Sequence, residues 1–274
     1  MENIILTEKL KALILAGGKS KHALHKITKQ EFKTLMTINE INSRPLIHNL
    51  LEAMRQCVAV SKIYISAPEK VQDEMKDSIL TDVIFTPSGN SLMNSLKQGI
   101  YKLIDEPYIL ISTSDLPVIT RQNITNFIND CFNIPGFDIY YSIINKNLYT
   151  KRFPQNDLRR IYAHLVEGSF TGGNLFLINP KVIIDCEEII EQFIMFRKHP
   201  IKMARILGKR ILVKYLKKYL SIRDLEKMVP DYLKGYKGKA IPADPEIALD
   251  IDKPIQLEAL KSLLERNARE NMLT

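Results

Sequence analysis

The residues of this chain that are best suited to chemistry on phosphate groups begin with a pair of glycines. Gly17 and Gly18 end the apolar run of residues 13–16, and a polar, lysine-rich stretch follows them. Because glycine has no Cβ, its backbone N–H group can approach an anion closely. The lysines around the same point are Lys19, Lys21, Lys26, Lys29 and Lys33. The pattern indicates a phosphate-binding loop, with a tight turn that carries a solvated basic face as the alternative.

The spacing of the glycines excludes two common phosphate-binding loops. The dinucleotide fingerprint needs three glycines in the pattern G-x-G-x-x-G, and no third glycine lies near Gly18. The loop of nucleoside triphosphatases ends in Gly-Lys followed by Ser or Thr, which Gly18, Lys19 and Ser20 supply. That loop also requires a glycine where this chain has Leu13. We therefore expect a nucleotide-binding loop of another kind.

Three aspartates are the candidate acidic groups of a site. Asp115 follows the apolar run of residues 109–112, where a lone aspartate usually serves as a turn or cap residue, although Thr120 can cap the next helix without it. Asp250 and Asp252 lie two positions apart in an extended segment, so their carboxylates can face the same site. The alternative for Asp252 is a cap at the start of the final helix.

The motifs together resemble the MobA-like NTP transferase family, which is related to the guanylyltransferase of molybdenum-cofactor synthesis. The shared features are an apolar strand, Leu-Ala-Gly-Gly at residues 15–18, Lys33, and Ser-Arg-Pro-Leu-Ile at residues 43–47. The matching segments are residues 11–120 and, more weakly, 172–180 and 250–257. The resemblance implies transfer of a nucleoside monophosphate from a nucleoside triphosphate to a phosphorylated acceptor, with release of pyrophosphate.

The resemblance also implies roles for individual residues. Those expected to bind the nucleotide are Ala16, Gly17, Gly18, Lys19, Lys33, Ser88, Gly89, Asn90 and Asn94. Those expected to hold Mg²⁺ are Asp115, Asp252 and Asp250, of which we favour Asp252 over Asp250 as the second ligand. The expected catalytic residues are Lys33, Lys21 and Asp115. The residues expected to bind the acceptor are Gly172, Gly173 and Asn174.

Several of these assignments have structural alternatives. Related enzymes commonly place an arginine near Lys21, and lysine lacks the two-pronged hydrogen-bonding geometry of arginine. The segment around Gly89 could be a connection from strand to helix, capped by Ser88 or Asn90. The glycines at 172–173 could serve a β-bulge. His22 and His25 are interpreted as polar loop residues rather than bases.

Alternating strand and helix patterns predict a three-layer α/β/α fold with a mainly parallel sheet, like that of nucleotide-diphospho-sugar transferases. Predicted strands lie at residues 12–15, 62–66, 82–85, 108–112, 139–143 and 175–178. Predicted helices lie at residues 45–56, 69–80, 92–104 and 254–269. We expect a single nucleotidyltransferase domain over residues 8–274 with a basic helical insertion at 180–240. Ligands of such sheets bind at the carboxyl ends of the strands, where Gly17 and Asp115 fall.

The basic insertion holds an amphipathic stretch at residues 202–219, which Gly208 could break. Its simplest interpretation is a surface helix packed on the domain. The sharper hypothesis is a platform for an anionic substrate or a membrane surface. Lys202, Arg205 and Lys209 are spaced three and four residues apart, so we expect them along one side of a helix, where they attract the acceptor.

Composition narrows the class of protein. The 274 residues are 45% hydrophobic and 26% charged, as in ordinary globular proteins, with neither an 18-residue apolar run nor a signal-peptide pattern. Three widely spaced cysteines (Cys57, Cys131 and Cys186) are expected to be reduced core residues, which favours the cytoplasm. The net charge of +8 favours anionic partners, but nucleic acid is disfavoured because tryptophan is absent and basic and aromatic residues do not alternate.

The expected activity is thus a cytoplasmic, Mg²⁺-dependent nucleotidyltransferase without integral membrane association. Two alternatives stay open. One is a nucleotide-binding or regulatory module that keeps the fold but turns over weakly, which the lysine at position 21 motivates. The other is a protein that associates with the membrane surface through residues 202–219.

Overall fold

The computed structural model describes residues 9–38, 42–76, 83–154 and 160–272. The strands in these ranges are β1 (Leu10–Leu15), β2 (Thr37–Ile38), β3 (Asn42–Pro45), β4 (Val60–Ala67), β5 (Val83–Pro87), β6 (Ile109–Thr113), β7 (Ile139–Asn145), β8 (Ala163–Leu165), β9 (Gly168–Ile178) and β10 (Gly238–Pro242). The helices of the first part are α1 (His22–Thr28), α2 (Ile47–Gln56), α3 (Glu69–Lys76), α4 (Leu92–Ile100), α5 (Arg121–Phe132) and α6 (Lys146–Arg152). The later helices are α7 (Pro180–Asp185), α8 (Glu187–Phe196), α9 (Pro200–Ile206), α10 (Lys209–Leu216), α11 (Ile222–Tyr232) and α12 (Pro254–Met272).

The main sheet has the strand order β10-β7-β9-β6-β1-β4-β5, with β8 paired to β9. Strand β1 runs parallel to both of its neighbours, β4 and β6, and the pairs β4–β5 and β7–β10 are parallel as well. Only β9 runs in the opposite direction in the described main sheet, because it is antiparallel to β6, β7 and β8. The predicted mainly parallel sheet is confirmed.

Apolar side chains on both faces of the sheet explain the three layers. In β1, Ala12 and Ile14 join one buried cluster, which includes residues of α2 and α5. Leu13 and Leu15 join the cluster on the opposite face, which includes residues of α4 and α7. Because successive side chains of a strand point to opposite faces, a continuous apolar run such as β1 needs helices on both sides.

The element bounds differ from the predicted ones for local reasons. Helix α2 begins at Ile47 rather than at residue 45, because Pro45 is the last residue of β3 and pairs with Thr37. Helix α4 ends at Ile100 rather than at residue 104, and β9 begins well before the predicted residue 175. The predicted continuation of α3 over residues 77–80 lies outside the described residues. His22 and His25 are exposed residues of α1, a helix that the sequence analysis did not predict.

Residues 180–240, hereafter the helical segment, contain α7 to α11. Gly208 has a φ of +93°, which ends α9 and separates it from α10. The expectation of three cations along one helix is therefore wrong, since Lys202 and Arg205 lie on α9 and Lys209 begins α10. The prediction that Gly208 breaks the amphipathic stretch is confirmed. The segment ends in β10, so its last residues are not helical.

Two further expectations concern buried thiols and membrane spans. The cysteines at 57, 131 and 186 are all buried and form no disulfide, as predicted. None of the helices in the described ranges has the length and apolar character needed to cross a membrane.

Candidate active site

Three carboxylates meet at the carboxyl ends of the parallel strands. Asp115 follows the last residue of β6 by two positions, and Ser114 N donates a hydrogen bond to the carbonyl oxygen of Leu15 at the end of β1 (3.2 Å). Asp250 and Asp252 lie in the connection before α12. One carboxylate oxygen from each of the three aspartates lies within 4.8 Å of the others. The structure therefore gathers the three predicted metal ligands, although 135 residues separate the first from the second in sequence.

Lys33 lies between two of these carboxylates. Its backbone N–H donates to the carbonyl oxygen of Gly18 (2.9 Å), which fixes the short 3₁₀ turn Lys33–Leu35 beneath the glycine loop. Its Nζ donates to Asp115 Oδ2 (2.7 Å) and to Asp252 Oδ1 (2.5 Å). Burial acts to lower the pKa of Lys33, but the charges of the two carboxylates outweigh it and raise that pKa, so this ammonium stays charged at neutral pH.

Asp252 is held ionised by the cations around it. Its Oδ2 accepts a hydrogen bond from Lys198 Nζ (2.5 Å), and Lys21 Nζ lies 3.6 Å from the same oxygen. Burial acts to raise the pKa of Asp252, whereas Lys33 and Lys198 lower it well below its usual range. The backbone N–H of Asp252 donates to Gln256 Oε1 (2.8 Å), so Gln256 of α12 fixes the aspartate's main chain.

Asp250 has a different environment, because its cation is Arg160. Burial and the negative charge of Asp115 raise the pKa of Asp250, and Arg160 opposes that shift. The Arg160 guanidinium donates to Asp250 Oδ1 (3.3 Å), Thr171 Oγ1 (3.2 Å) and the Tyr149 hydroxyl (3.3 Å). It also lies 4.5 Å from the centre of the Tyr149 ring. Arg160 therefore positions Asp250 within the cluster.

Sequence reasoning missed Arg160 and Lys198. Arg160 lies in an irregular stretch between α6 and β8, and Lys198 lies between α8 and α9, so neither belongs to a recognisable motif. Their partners Asp250 and Asp252 are 90 and 54 residues away in sequence. The only available signal is the basic character of the two stretches, which many solvated surfaces share.

The glycine loop offers backbone donors. The N–H groups of Gly17 and Gly18 donate no hydrogen bond within the described parts of the chain, and a Cβ on Gly18 would meet nothing within 4 Å. In contrast, Ala16 N donates to the carbonyl oxygen of Ser66 (2.8 Å), so its amide is already used inside the sheet. Lys19 is exposed and pairs with Glu31 (3.2 Å). The two glycine amides are thus free donors within the described residues.

The loop after β5 lies against the glycine loop. A Cβ on Gly17 would lie 3.7 Å from Ser88 Cβ, which places two of the predicted nucleotide-binding stretches side by side. Neither Ser88 nor Asn90 caps α4, because the N-cap is Ser91, whose hydroxyl accepts from Asn94 N. A Cβ on Gly89 would overlap Asn94 Cβ at 2.2 Å. Gly89 therefore allows the loop to pack on the first turn of α4.

The predicted acceptor residues lie inside β9. The register of β7 against β9 shifts between Tyr141 and Ile143, so the bulge alternative is realised in this part of the strand. A Cβ on Gly172 would overlap the Tyr141 hydroxyl at 1.6 Å, and one on Gly173 would lie 2.3 Å from Ser142 Oγ. Asn174 Nδ2 donates to the carbonyl oxygen of Ile247 (3.1 Å). Packing accounts for all three residues, and their role in acceptor binding stays a prediction.

The cluster suits both a hard cation and a polyanion. Carboxylate oxygens are the protein ligands that Mg²⁺ prefers. Ser20 Oγ in the glycine loop and Thr113 Oγ1 at the end of β6 are buried without a hydrogen-bond partner in the described residues, as expected next to a polar ligand. The cations that pair with these three carboxylates in the described residues are Lys21, Lys33, Arg160 and Lys198. Their surplus positive charge favours a phosphate-rich ligand.

Known proteins resemble this chain in sequence and in fold. Residues 12–147 match the family model of the MobA-like NTP transferase domain. A hypothetical transferase from Thermus thermophilus has a TM-score of 0.74 and 26% identity over 91% of this chain and 99% of that chain. No curated protein sequence matches this chain.

Two more distant structures share the fold. CMP:2-keto-3-deoxy-manno-octonic acid synthetase, in complex with CTP, has a TM-score of 0.57 and 11% identity over 95% of this chain and 100% of that chain. The 4-diphosphocytidyl-2C-methyl-D-erythritol synthase from Anaerococcus prevotii has a TM-score of 0.54 and 9% identity, over 94% and 96% of the two chains. The fold of this chain is thus that of the nucleotide-diphospho-sugar transferases.

Proposed function

Residues 12–147 match the family model of the MobA-like NTP transferase domain, and on the basis of that match we propose a specific reaction for this chain. It transfers a nucleoside monophosphate from a nucleoside triphosphate to a phosphorylated small molecule, and it releases pyrophosphate. The reaction depends on Mg²⁺ and takes place in the cytoplasm. The observation that carries the proposal is the carboxylate cluster of Asp115, Asp250 and Asp252 beside the glycine loop.

The residues of the site divide into two groups. The free amides of Gly17 and Gly18, together with the ammonium groups of Lys21 and Lys33, bind the triphosphate. The three aspartates hold Mg²⁺, with Asp115 and Asp252 as the principal ligands and Arg160 keeping Asp250 in place. When bound, Mg²⁺ neutralises charge on the phosphate oxygens and orients them.

The reaction needs little covalent assistance. An oxygen of the acceptor phosphate forms a bond to the α-phosphorus of the nucleotide. The bond from that phosphorus to the oxygen that bridges the α- and β-phosphates breaks, and pyrophosphate leaves with its electron pair. Because the acceptor phosphate is already ionised, no base has to remove a proton from it. Positioning and charge neutralisation by the lysines and the glycine amides are therefore the protein's main contributions.

A screen for pyrophosphate tests this function. The four common nucleoside triphosphates are each combined with Mg²⁺ and with a panel of sugar, polyol and cofactor phosphates. We expect at least one combination to release pyrophosphate. The variant Asp115→Asn should lower the rate of that release by a factor of about 100 or more. Nucleotide binding without pyrophosphate release from any combination would favour the binding-module alternative instead.

A further inference from the structure

Lys198 brings a cation to the cluster from outside the region that matches the family. It lies in the short connection between α8 and α9, whereas the family match ends at residue 147. Its Nζ donates to Asp252 Oδ2 at 2.5 Å, and its side chain is 50% exposed. Backbone hydrogen bonds from His199 N to Phe196 O (2.8 Å) and from Met203 N to His199 O (2.9 Å) fix the turn that carries it.

Of the three ammonium groups near Asp252, the two that donate hydrogen bonds to it, Lys33 and Lys198, are held to different degrees. Lys33 is only 14% exposed and also bonds Asp115, so it is fixed by two carboxylates. Lys198 bonds Asp252 alone among the described residues and has half of its side chain in solvent. The lysine stem is flexible, and its compact ammonium can move between anionic partners at small cost. Of the two hydrogen-bonded lysines, Lys198 is therefore the one that can leave Asp252 when another positive charge arrives.

A metal ion would compete with Lys33 and Lys198 for the carboxylate oxygens of Asp252. Lys33 occupies one of its oxygens, and Lys198 occupies the other. A metal ion that takes Asp252 as a ligand needs one of these oxygens and repels both ammonium groups. An ammonium displaced from Oδ2 lies next to the ligands of that metal, which include phosphate oxygens when a nucleotide is bound.

We propose that Lys198 is a phosphate-binding residue that the helical segment contributes to the nucleotide site, and that it exchanges the Asp252 carboxylate for a triphosphate oxygen. This inference rests on the proposed function. It gives the helical segment a part in nucleotide binding, in addition to the acceptor binding that the sequence predicts for Lys202, Arg205 and Lys209.

The proposal predicts effects of opposite sign in one variant. Replacing Lys198 by methionine keeps the apolar stem and removes the charge. Without that charge, Asp252 is less neutralised, so Mg²⁺ alone should bind several-fold more tightly. The complex of Mg²⁺ with a nucleoside triphosphate should bind about 10-fold more weakly, because one charge-assisted contact to phosphate is lost. If Lys198 only supported the fold, its replacement would weaken the binding of both ligands together.

Calorimetry at constant ionic strength measures both affinities in the full chain. The probes are Mg²⁺ alone and each of the four common nucleoside triphosphates with excess Mg²⁺. Lys198→Met is compared with Lys198→Arg, which keeps the charge and should bind both probes within about 3-fold of the unmodified chain. Lys217→Met is the matched control, since Lys217 is an exposed lysine of the same segment that pairs with no described acidic residue. It should change neither affinity.

The outcomes separate this inference from the proposed function. If the unmodified chain binds a nucleotide and Lys198→Met binds it equally well, the proposal for Lys198 is overturned while the proposed function stands. A loss of both affinities at an unchanged thermal midpoint also overturns it, because the residue then acts by supporting the site. If the unmodified chain binds none of the four nucleotides, both proposals fail. Opposite shifts of the two affinities support the exchange.

Discussion

At the scale of single residues, Arg160 is a mostly buried cation that donates hydrogen bonds to three side chains of the site. Its side chain is 11% exposed and pairs with that of Asp250, which is 23% exposed. Arg160→Met removes the hydrogen bonds that the guanidinium donates to that carboxylate and to the hydroxyl groups of Tyr149 and Thr171. We expect the free energy of unfolding to fall by about 1–3 kcal/mol, because a polar group that loses its buried partner pays its desolvation cost. Urea denaturation measures this change.

A double variant isolates the ion pair from the packing of the arginine. Adding Asp250→Asn to Arg160→Met removes the uncompensated charge, so the double variant should recover part of the lost stability. Equal and additive losses from the two substitutions would contradict the view that Arg160 positions Asp250 through their charges.

At the scale of elements, strand β9 depends on glycine where it passes β7. A Cβ on Gly173 would lie 2.3 Å from Ser142 Oγ and 2.8 Å from Ile144 Cδ1, and Ser142 Oγ already donates to Leu175 O (2.7 Å). We expect Gly173→Ala to lower the free energy of unfolding by about 1–3 kcal/mol, the usual cost of overpacking.

Gly18→Ala is the matched control for that substitution, since a Cβ there meets nothing within 4 Å. It should change the free energy of unfolding by less than about 0.5 kcal/mol. Chemical denaturation of both variants measures these changes in the free energy of unfolding. If Gly173→Ala keeps full stability but raises the KM for the acceptor, Gly173 acts on the ligand rather than on the sheet.

Helices α10 and α11 are joined by an acid-sensitive contact. Asp224 accepts a hydrogen bond from Lys214 Nζ (2.6 Å) and another from the backbone N–H of Ser221 (3.2 Å). These bonds lower the pKa of Asp224 to about 2. An unfolded aspartate titrates near 4, so the contact contributes its full stability above about pH 4 and loses it as the pH falls towards 2.

The variant Asp224→Asn tests this dependence. Its stability deficit relative to the unmodified chain should be about 0.5–1 kcal/mol at pH 7 and smaller at pH 3, measured by urea denaturation at both pH values. Asp231→Asn, at an exposed position of the same helix, serves as the control and should show no such trend. A deficit that grows on acidification would contradict the assignment.

Most of the sheet could be predicted because its strands are buried on both faces. Strands β1, β4 and β6 contain apolar runs that are followed by turn residues. Such runs can be recognised as strands without knowing which distant residues they contact. The start of β9 could not be predicted, since the need for Gly172 and Gly173 comes from side chains of other elements, chiefly of β7. Helix α1 was missed because Leu24 is its only residue buried in the core, which leaves no apolar periodicity.

The residues of the candidate site that belong to sequence motifs could be predicted, whereas those that reach it only through tertiary contacts could not. The glycine loop and Asp115 each follow a strand, and their meeting follows from the parallel sheet. Lys33 follows no strand of that sheet and was predicted from the family motif. Arg160 reaches the cluster from the connection between α6 and β8, and Lys198 from that between α8 and α9, through contacts that no local pattern encodes. Their presence became evident only from the positions of their charged atoms.

At the scale of the whole molecule, part of the net positive charge of the chain lies at the candidate site. The chain carries a net charge of +8, and lysines and an arginine from four separate regions converge on the carboxylate cluster. A site with carboxylates for a metal and surplus cations for phosphate is suited to a metal–triphosphate complex. The central claim is that this site transfers the α-phosphate of a nucleotide.

The measurement that tests this claim most directly follows the α-phosphate itself. A nucleoside triphosphate labelled at the α-phosphorus is incubated with Mg²⁺, the full chain and the acceptor found by the pyrophosphate screen, and the products are separated. We predict that the label appears in the acceptor in an amount equal to the pyrophosphate released, and that Asp115→Asn abolishes both. Label that stays in nucleoside diphosphate while orthophosphate is released would show cleavage at the γ-phosphate and would contradict the account.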